Sequence, residues 1–577
     1  MSETPSQTQP ASSASSSSTS PSGQPPRPRG LFAVKEAFTS IVIAFAMAFA
    51  FRGFVLEAFV IPTGSMAPTL LGQHHRLTGP QSGYSWTIGP WLGTGDAVVR
   101  DPMVGSAVSG GSARGPNATL PRRAGDRIFV LKYLPPIYSP KRWDVSVFKY
   151  PPQPQTNYIK RLIGLPGEQI ALIDGDVFVR PAPGAEGSTD PKPPNTWNAE
   201  GWEIARKPER IQRAIWQDVY DSRFAPIAPV IDGRRWFRRP WLLTSVDATW
   251  SDVDDERVYQ AEGAGRASMT WDTARPITDE TSYNWTSGSY QANIYPVSDV
   301  ATRADVEPNA AGVTIEIDLG ARRHEFRALI ADGRATLQMR DAGSAASQSP
   351  EPSAWTTLGE GAVPEGALAP GEITPIEFWH VDQELRLWVA GEPVVDATYD
   401  WTPVQRVRSS LGIDLTDPAT LDAIEFREDP SLQRQPFADP RRYRPATLAW
   451  HFEGAGVTVH RSVVKRDQFY QPGLYSRDND TQLNHSRRGQ PSLGTHPGQT
   501  ATLGADQFLL LGDNSAASAD GRVWERPSPW VAEQVDDTIG VVHRDLLIGR
   551  AFIVYFPAPH PGAFVPIPDA GRVRWIW

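Results

Sequence analysis

Ser65 stands in Val60-Ile61-Pro62-Thr63-Gly64-Ser65-Met66-Ala67-Pro68-Thr69-Leu70, directly after the one run of this chain hydrophobic enough to enter a bilayer. A serine hydroxyl is inert at neutral pH unless a neighbouring base takes its proton, so a nucleophilic Ser65 needs a partner elsewhere in the sequence. The candidate is Lys160, in Tyr158-Ile159-Lys160-Arg161-Leu162-Ile163-Gly164-Leu165-Pro166-Gly167-Glu168. An exposed lysine stays protonated up to about pH 10.4, but burial disfavours the ammonium and can lower its pKa by several units. A serine paired with a buried lysine is a known variant of the Ser/His/Asp arrangement. Far downstream, Gly512-Asp513-Asn514-Ser515-Ala516-Ala517-Ser518-Ala519-Asp520-Gly521-Arg522 is a glycine-rich turn carrying two carboxylates, serines and an arginine. Each motif alone says little; the weight lies in their conjunction.

In this order the three segments resemble the type I signal peptidases, membrane-anchored Ser/Lys endopeptidases that remove signal peptides from exported proteins. The resemblance implies an antiparallel β catalytic core with Ser65 as nucleophile and Lys160 as general base. It gives Ser518 the task of hydrogen-bonding and orienting the lysine amine, and Thr63 that of joining the Ser65 backbone N–H in the oxyanion hole. Asp513, Asp520 and Arg522 are expected to be structural, a buried carboxylate and guanidinium beneath the lysine. Arg161 is a further supporting residue; strand alternation should turn it away from Ser65, toward solvent or phospholipid. Two positions depart from the family pattern: Ser515, where arginine is frequent, and Gly521, where serine is frequent. No cofactor and no metal are implied. The implied partners are preprotein signal peptides with small residues before the cut, as in Ala-x-Ala, together with membrane phospholipid and the secretion translocase.

The elements that must position these residues follow from the chain in order. Residues 1–30, almost wholly Ser, Pro, Thr, Gln and Gly, cannot bury enough apolar area to fold and are expected to be disordered. Residues 31–52 read as a transmembrane anchor, since about 20 apolar residues span a bilayer as a helix. Arg27, Arg29 and Lys35 at its start keep the N-terminus cytoplasmic, which places the rest outside a bacterial-type plasma membrane. Ala48-Phe49-Ala50 also fits a cleavage pattern, so the same segment has a rival reading as a secretory signal.

The catalytic core is expected in two parts, 53–180 and 441–577. Within the first part, residues 71–124 form an insert in which Gly79-Pro80-Gln81-Ser82-Gly83 and Asp101-Pro102-Met103-Val104-Gly105 have the shape of two zinc knuckles with every cysteine replaced. Such a ribbon has lost the thiolates a metal needs. Between the two parts, residues 181–440 alternate in short strands, as in Thr314–Leu319 and Glu384–Val389, and suggest an inserted β-sandwich similar to jelly-roll, concanavalin-like domains. The fold class expected is therefore mainly β with one N-terminal helix. The chain contains no cysteine, which excludes disulfides, and its formal net charge of −9 argues against a nucleic-acid partner. The competing function is a membrane-anchored envelope or glycan-binding protein whose protease core is inactive.

Overall fold

The computed structural model describes residues 29–90, 101–104, 122–133, 138–183, 196–231, 233–251, 256–285, 293–343, 352–424, 436–473, 490–559 and 565–577. The expected disordered tail lies outside these apart from Arg29 and Gly30. The first element is the helix Arg29–Phe54. Its stretch Val34–Phe54 is 21 residues long and apolar enough to cross a membrane.

Residues Glu57–Trp577 form one compact unit. Its first layer is an antiparallel 8-stranded sheet. The strand order is Leu56–Val60, Arg127–Lys132, Leu547–Phe556, Val145–Tyr150, Gln153–Gly164, Gln507–Leu511 and Val542–His543, with Arg574–Trp575 branching from Leu547–Phe556. Strands from both ends of the chain thus interleave, which closes the sheet around an insertion of more than half the sequence. The long strand Gln153–Gly164 pairs along Val145–Tyr150 on one edge. On its other edge it pairs with Gln507–Leu511 only near its end, at Arg161, Leu162 and Gly164. A 4-stranded sheet follows, in the order Ala501–Thr502, Glu168–Ile173, Asp176–Pro181 and Glu203–Ile204. Its central hairpin turns on Asp174-Gly175, both at positive φ (52° and 88°), the backbone that a two-residue turn demands.

The insertion is a β-sandwich. One sheet is 7-stranded, running from Trp241–Val246 through Thr447–Glu453 to Thr356–Ala362; the other is 8-stranded and is centred on Val300–Pro308 and Val457–Arg466. Inward-facing residues of both sheets, among them Ile315, Phe326, Trp450, Val306, Phe378 and Leu387, share one core. Trp450 Nε1 reaches across it to Thr302 Oγ1 at 3.0 Å, and Trp241 Nε1 to Ser462 Oγ at 3.1 Å. Buried tryptophans such as Trp241, Trp379 and Trp450 are core side chains with partners for their N–H groups, and offer no face to a sugar.

One boundary needs correction. The catalytic part does not resume at 441: Thr447–Glu453 lies between Arg266–Trp271 and Thr314–Ala321, and Val457–Arg466 lies between Tyr259–Glu262 and Val300–Pro308, so both strands belong to the sandwich. Their alternating apolar residues, Leu448, Trp450 and Phe452 and then Val457 and Val459, fill its core. After Ile204 comes the short helix Glu209–Ile215, whose start Pro208 sets, and Gln217–Asp221 leaves as a strand paired with Val457–Arg466.

The two knuckle-shaped turns of the 71–124 insert come together. The Ser82 hydroxyl donates to Asp101 Oδ2, and Tyr84 N donates to Ser82 Oγ at 3.0 Å. The other oxygen of Asp101 accepts from Met103 N at 2.9 Å. A Cβ on Gly79 would run into both the Ser82 hydroxyl and the Asp101 carboxylate. Asp101 is buried, and burial pushes its carboxyl pKa up despite these donors.

Candidate active site

Four pieces of chain meet at Ser65. The nucleophile segment leaves the edge strand Leu56–Val60; Lys160 and Arg161 sit in Gln153–Gly164; the Gly512 turn follows Gln507–Leu511; and a short 3-10 turn, Ser282–Asn284, comes from the insertion. Adjacent residues of a strand point to opposite faces, so Lys160 and Arg161 diverge. Lys160 Nζ lies 2.6 Å from Ser65 Oγ. Arg161, on the other face, is not turned to solvent or phospholipid: it is 1% exposed. Its Nε and Nη2 bind Asp513 Oδ1 and Oδ2 at 2.8 and 2.7 Å, and its Nη1 donates to the carbonyls of Trp143 and Trp577. A buried guanidinium next in the strand to a buried lysine is tolerable because a bidentate carboxylate balances it. Burial opposes the charge of Arg161, yet Asp513 outweighs that and holds its pKa above the ordinary arginine value.

Lys160 is 3% exposed. Burial lowers its pKa from 10.5 to about 8, against the pull of Asp520 and Asp513 and with a smaller contribution from Arg522 in the same direction as burial. Its amine also sits 5.3 Å from the ring centre of Tyr158, two residues earlier on the same face. Beneath it, Asp520 takes Arg522 Nε and Nη2 at 2.9 and 2.8 Å and the Gly512 N–H at 3.0 Å. Burial pushes the Asp520 carboxyl up, but Arg522, Gly512 and Lys160 more than offset it and keep its pKa below the usual range. Thr69 Oγ1 donates to Asp513 Oδ2 at 2.5 Å, which ties the nucleophile segment to the same carboxylate that holds Arg161.

The Ser518 hydroxyl is buried and has no hydrogen-bond partner among the described residues, so no bond joins it to Lys160 here. It lies beside Gly512, where a Cβ would collide with it and press on the Ser65 carbonyl. Thr63 is exposed and, with Ser65, lines a cleft of about 560 Å³ whose walls include Pro62, Tyr158, Ile159, Lys160 and Ala519. The departures from the family pattern have local reasons. Ser515 Oγ accepts from Arg522 Nη1 and from Gln471 N, both at 2.8 Å. At Gly521 a Cβ would press on the carbonyls of Gly540 and Leu510, so no serine fits.

Sequence reasoning missed Asn514, Tyr283 and Asn284. Asn514 was in plain view inside the glycine-rich turn; its N–H donates to the Ser65 carbonyl and its Nδ2 to the Gly64 carbonyl, both at 3.0 Å. Tyr283 and Asn284 carry no motif and reach the site only through the fold of the insertion.

A family description, signal peptidase of peptidase family S26, matches residues 34–196. The signal peptidase I of Rickettsia bellii is 28% identical over 144 residues, 25% of this chain and 39% of that protein. That of Rickettsia typhi is 31% identical over 150 residues, 25% of this chain and 43% of its own length. The signal peptidase I of Pseudomonas aeruginosa is 32% identical over 120 residues, 21% of this chain and 28% of that protein. The matched stretch thus spans about two fifths or less of the length of these relatives. Among solved structures, the carbohydrate-binding module CBM66 of Bacillus subtilis aligns with 40% of this chain and 96% of its own at 11% identity and a TM-score of 0.20, too slight a likeness to carry an argument. The resemblance read from the Ser65 and Lys160 segments falls within the matched stretch: residues 34–196 are similar to signal peptidases.

Proposed function

We propose that the protein is a signal peptidase I-like endopeptidase that cleaves exported preproteins after small residues by a Ser65/Lys160 dyad. The observation that carries this reading is the 2.6 Å approach of a buried lysine amine, its pKa lowered to about 8, to the Ser65 hydroxyl. The neutral amine accepts the Ser65 proton as the oxygen attacks the scissile carbonyl, and the resulting ammonium returns a proton to the leaving amine. The tetrahedral oxyanion is met by the Ser65 N–H and the Thr63 hydroxyl, neither of which is engaged by another protein group among the described residues. Asp513, Asp520, Arg522 and Arg161 hold the base and nucleophile segments in register, and Ser518 orients the amine during turnover.

The substrate lies as an extended strand. Among the described residues, Asn157 to Ile159 have a strand partner on only one side, and they line the cleft, where the free edge of the strand can receive a peptide through backbone hydrogen bonds. The helix Arg29–Phe54 anchors the enzyme in the plasma membrane with its N-terminus cytoplasmic, so that enzyme and substrate share a phospholipid surface next to the translocase. The test is incubation of the purified full-length protein with a preprotein. Wild type should release the mature form, while Ser65→Ala and Lys160→Arg should not, since a guanidinium stays protonated at any working pH. Cleavage by Lys160→Arg at a near wild-type rate overturns the dyad.

A further inference from the structure

We infer that the inserted sandwich completes the active site: Tyr283 and Asn284 are positioning residues for the nucleophile, acting on the backbone that carries Ser65. The inference rests on the peptidase reading above. Tyr283 is buried, and its ring lies against Gly64, where a Cβ would run straight into it. It packs in one small cluster with Ala67 and Leu71 of the nucleophile segment. Its hydroxyl donates to the Gln73 carbonyl at 2.7 Å, on the far side of the same loop. The turn itself is fixed from outside the sandwich: Gly89 N donates to the Tyr283 carbonyl at 2.9 Å and the Ser282 hydroxyl to the Thr87 carbonyl at 3.0 Å.

Asn284 acts one step removed. Its side-chain amide and that of Asn514 form a closed pair, each Nδ2 donating to the other's Oδ1 at 2.7 Å. The second Nδ2 proton of Asn514 goes to the Gly64 carbonyl and its N–H to the Ser65 carbonyl, both at 3.0 Å. The two peptide units flanking the nucleophile are therefore held by one asparagine, and that asparagine is oriented by the insertion. The Gly64–Ser65 peptide also presents the N–H that faces the oxyanion, so a shift there misplaces the nucleophile and an oxyanion donor together. Misplacement of reacting groups by about 1 Å costs on the order of a hundredfold in rate. Gly64 and the ring of Tyr283 are complementary for the same reason: the glycine makes room for a side chain from the other part of the chain.

The test uses the full-length protein in detergent and two readouts, preprotein cleavage and the rate at which a serine-directed fluorophosphonate labels Ser65. Asn284→Ala should lower kcat and the labelling rate by about ten- to a hundredfold, with KM and the pH midpoint near 8 unmoved and the urea unfolding midpoint close to wild type. Because Asn284 works through Asn514, the double variant with Asn514→Ala should be no slower than Asn514→Ala alone. Tyr283→Ala should lose activity and Tyr283→Phe should recover most of it, since the ring rather than the hydroxyl meets Gly64. Additive losses in the Asn284/Asn514 pair, or a kcat for both Asn284→Ala and Tyr283→Ala within twofold of wild type, overturn the inference. A wild type that reacts with the probe but cleaves no preprotein overturns the proposed substrate instead, and the probe series then decides the positioning role. A wild type inert to both overturns the two together.

Discussion

The pKa of Lys160 sets two measurable quantities from one number. A base with a pKa of about 8 is roughly 9% neutral at pH 7 and about 91% neutral at pH 9, so kcat/KM should rise about tenfold between these values and level off above pH 9. An amine left at 10.5 behaves differently: its neutral fraction climbs nearly a hundredfold over the same interval and shows no plateau below about pH 11. The same shift governs stability. Because the folded-state pKa lies below the unfolded one, the unfolded chain binds more protons between pH 8 and 10.5, and stability rises with pH across that window. Below pH 8 both states are protonated and the folded state carries the full cost of a buried ammonium, about 3 kcal/mol for a shift of about 2.5 units. Lys160→Met, which keeps the length of the side chain without the charge, should therefore be inactive and yet more stable than wild type at pH 7 by about that amount, with the gain vanishing toward pH 10.5. The assay is initial-rate cleavage of a peptide ending its leader in Ala-x-Ala, from pH 6 to 10, beside urea unfolding of both proteins in the same buffers. A rate that keeps climbing past pH 10, or a Lys160→Met variant less stable than wild type at pH 7, refutes the desolvated-base argument.

Of the two anions that raise the Lys160 pKa, Asp520 contributes the more, so Asp520→Asn should move the pH–rate limb to lower pH; a limb displaced to higher pH would contradict the electrostatics. Ser518→Ala should slow cleavage by about ten- to a thousandfold while leaving stability equal or higher, because the buried hydroxyl it removes has no partner among the described residues; unchanged turnover would dismiss it as an orienting group. Changing Gly79, Ser82, Asp101 and Val104 together to cysteine should create a tetrahedral zinc site, read by displacement of a chromophoric chelator; failure to bind zinc would reduce the paired knuckles to ordinary turns.

What the sequence made legible was local and what it hid was distant. Lys160 and Arg161 show the boundary well. Their divergence follows from the two-residue repeat of a strand and was readable from five letters, but the destination of Arg161 was not, because its carboxylate partner is 352 positions away and only the pairing of Leu511 with Arg161 brings it near. Hairpins such as Ile173 to Asp176 announced themselves through Asp-Gly, whereas the strands Thr447–Glu453 and Val457–Arg466 alternated just as clearly without saying which sheet they joined. That ambiguity is what made the insertion look detachable. A boundary drawn where motifs resume treats everything between as passenger, yet the last two strands of the sandwich return beside its first ones and bring the Ser282–Asn284 turn onto Gly64 as a consequence of closing its core. The absence of a side chain at Gly64 was visible from the start, beside the nucleophile, and its physical reason lies in a tyrosine more than two hundred residues away. A linker replacing the insertion would leave Ser65 and Lys160 in the chain while removing the Tyr283 and Asn284 contacts that reach the Gly64–Ser65 peptide, so under the positioning inference such a variant should lose activity.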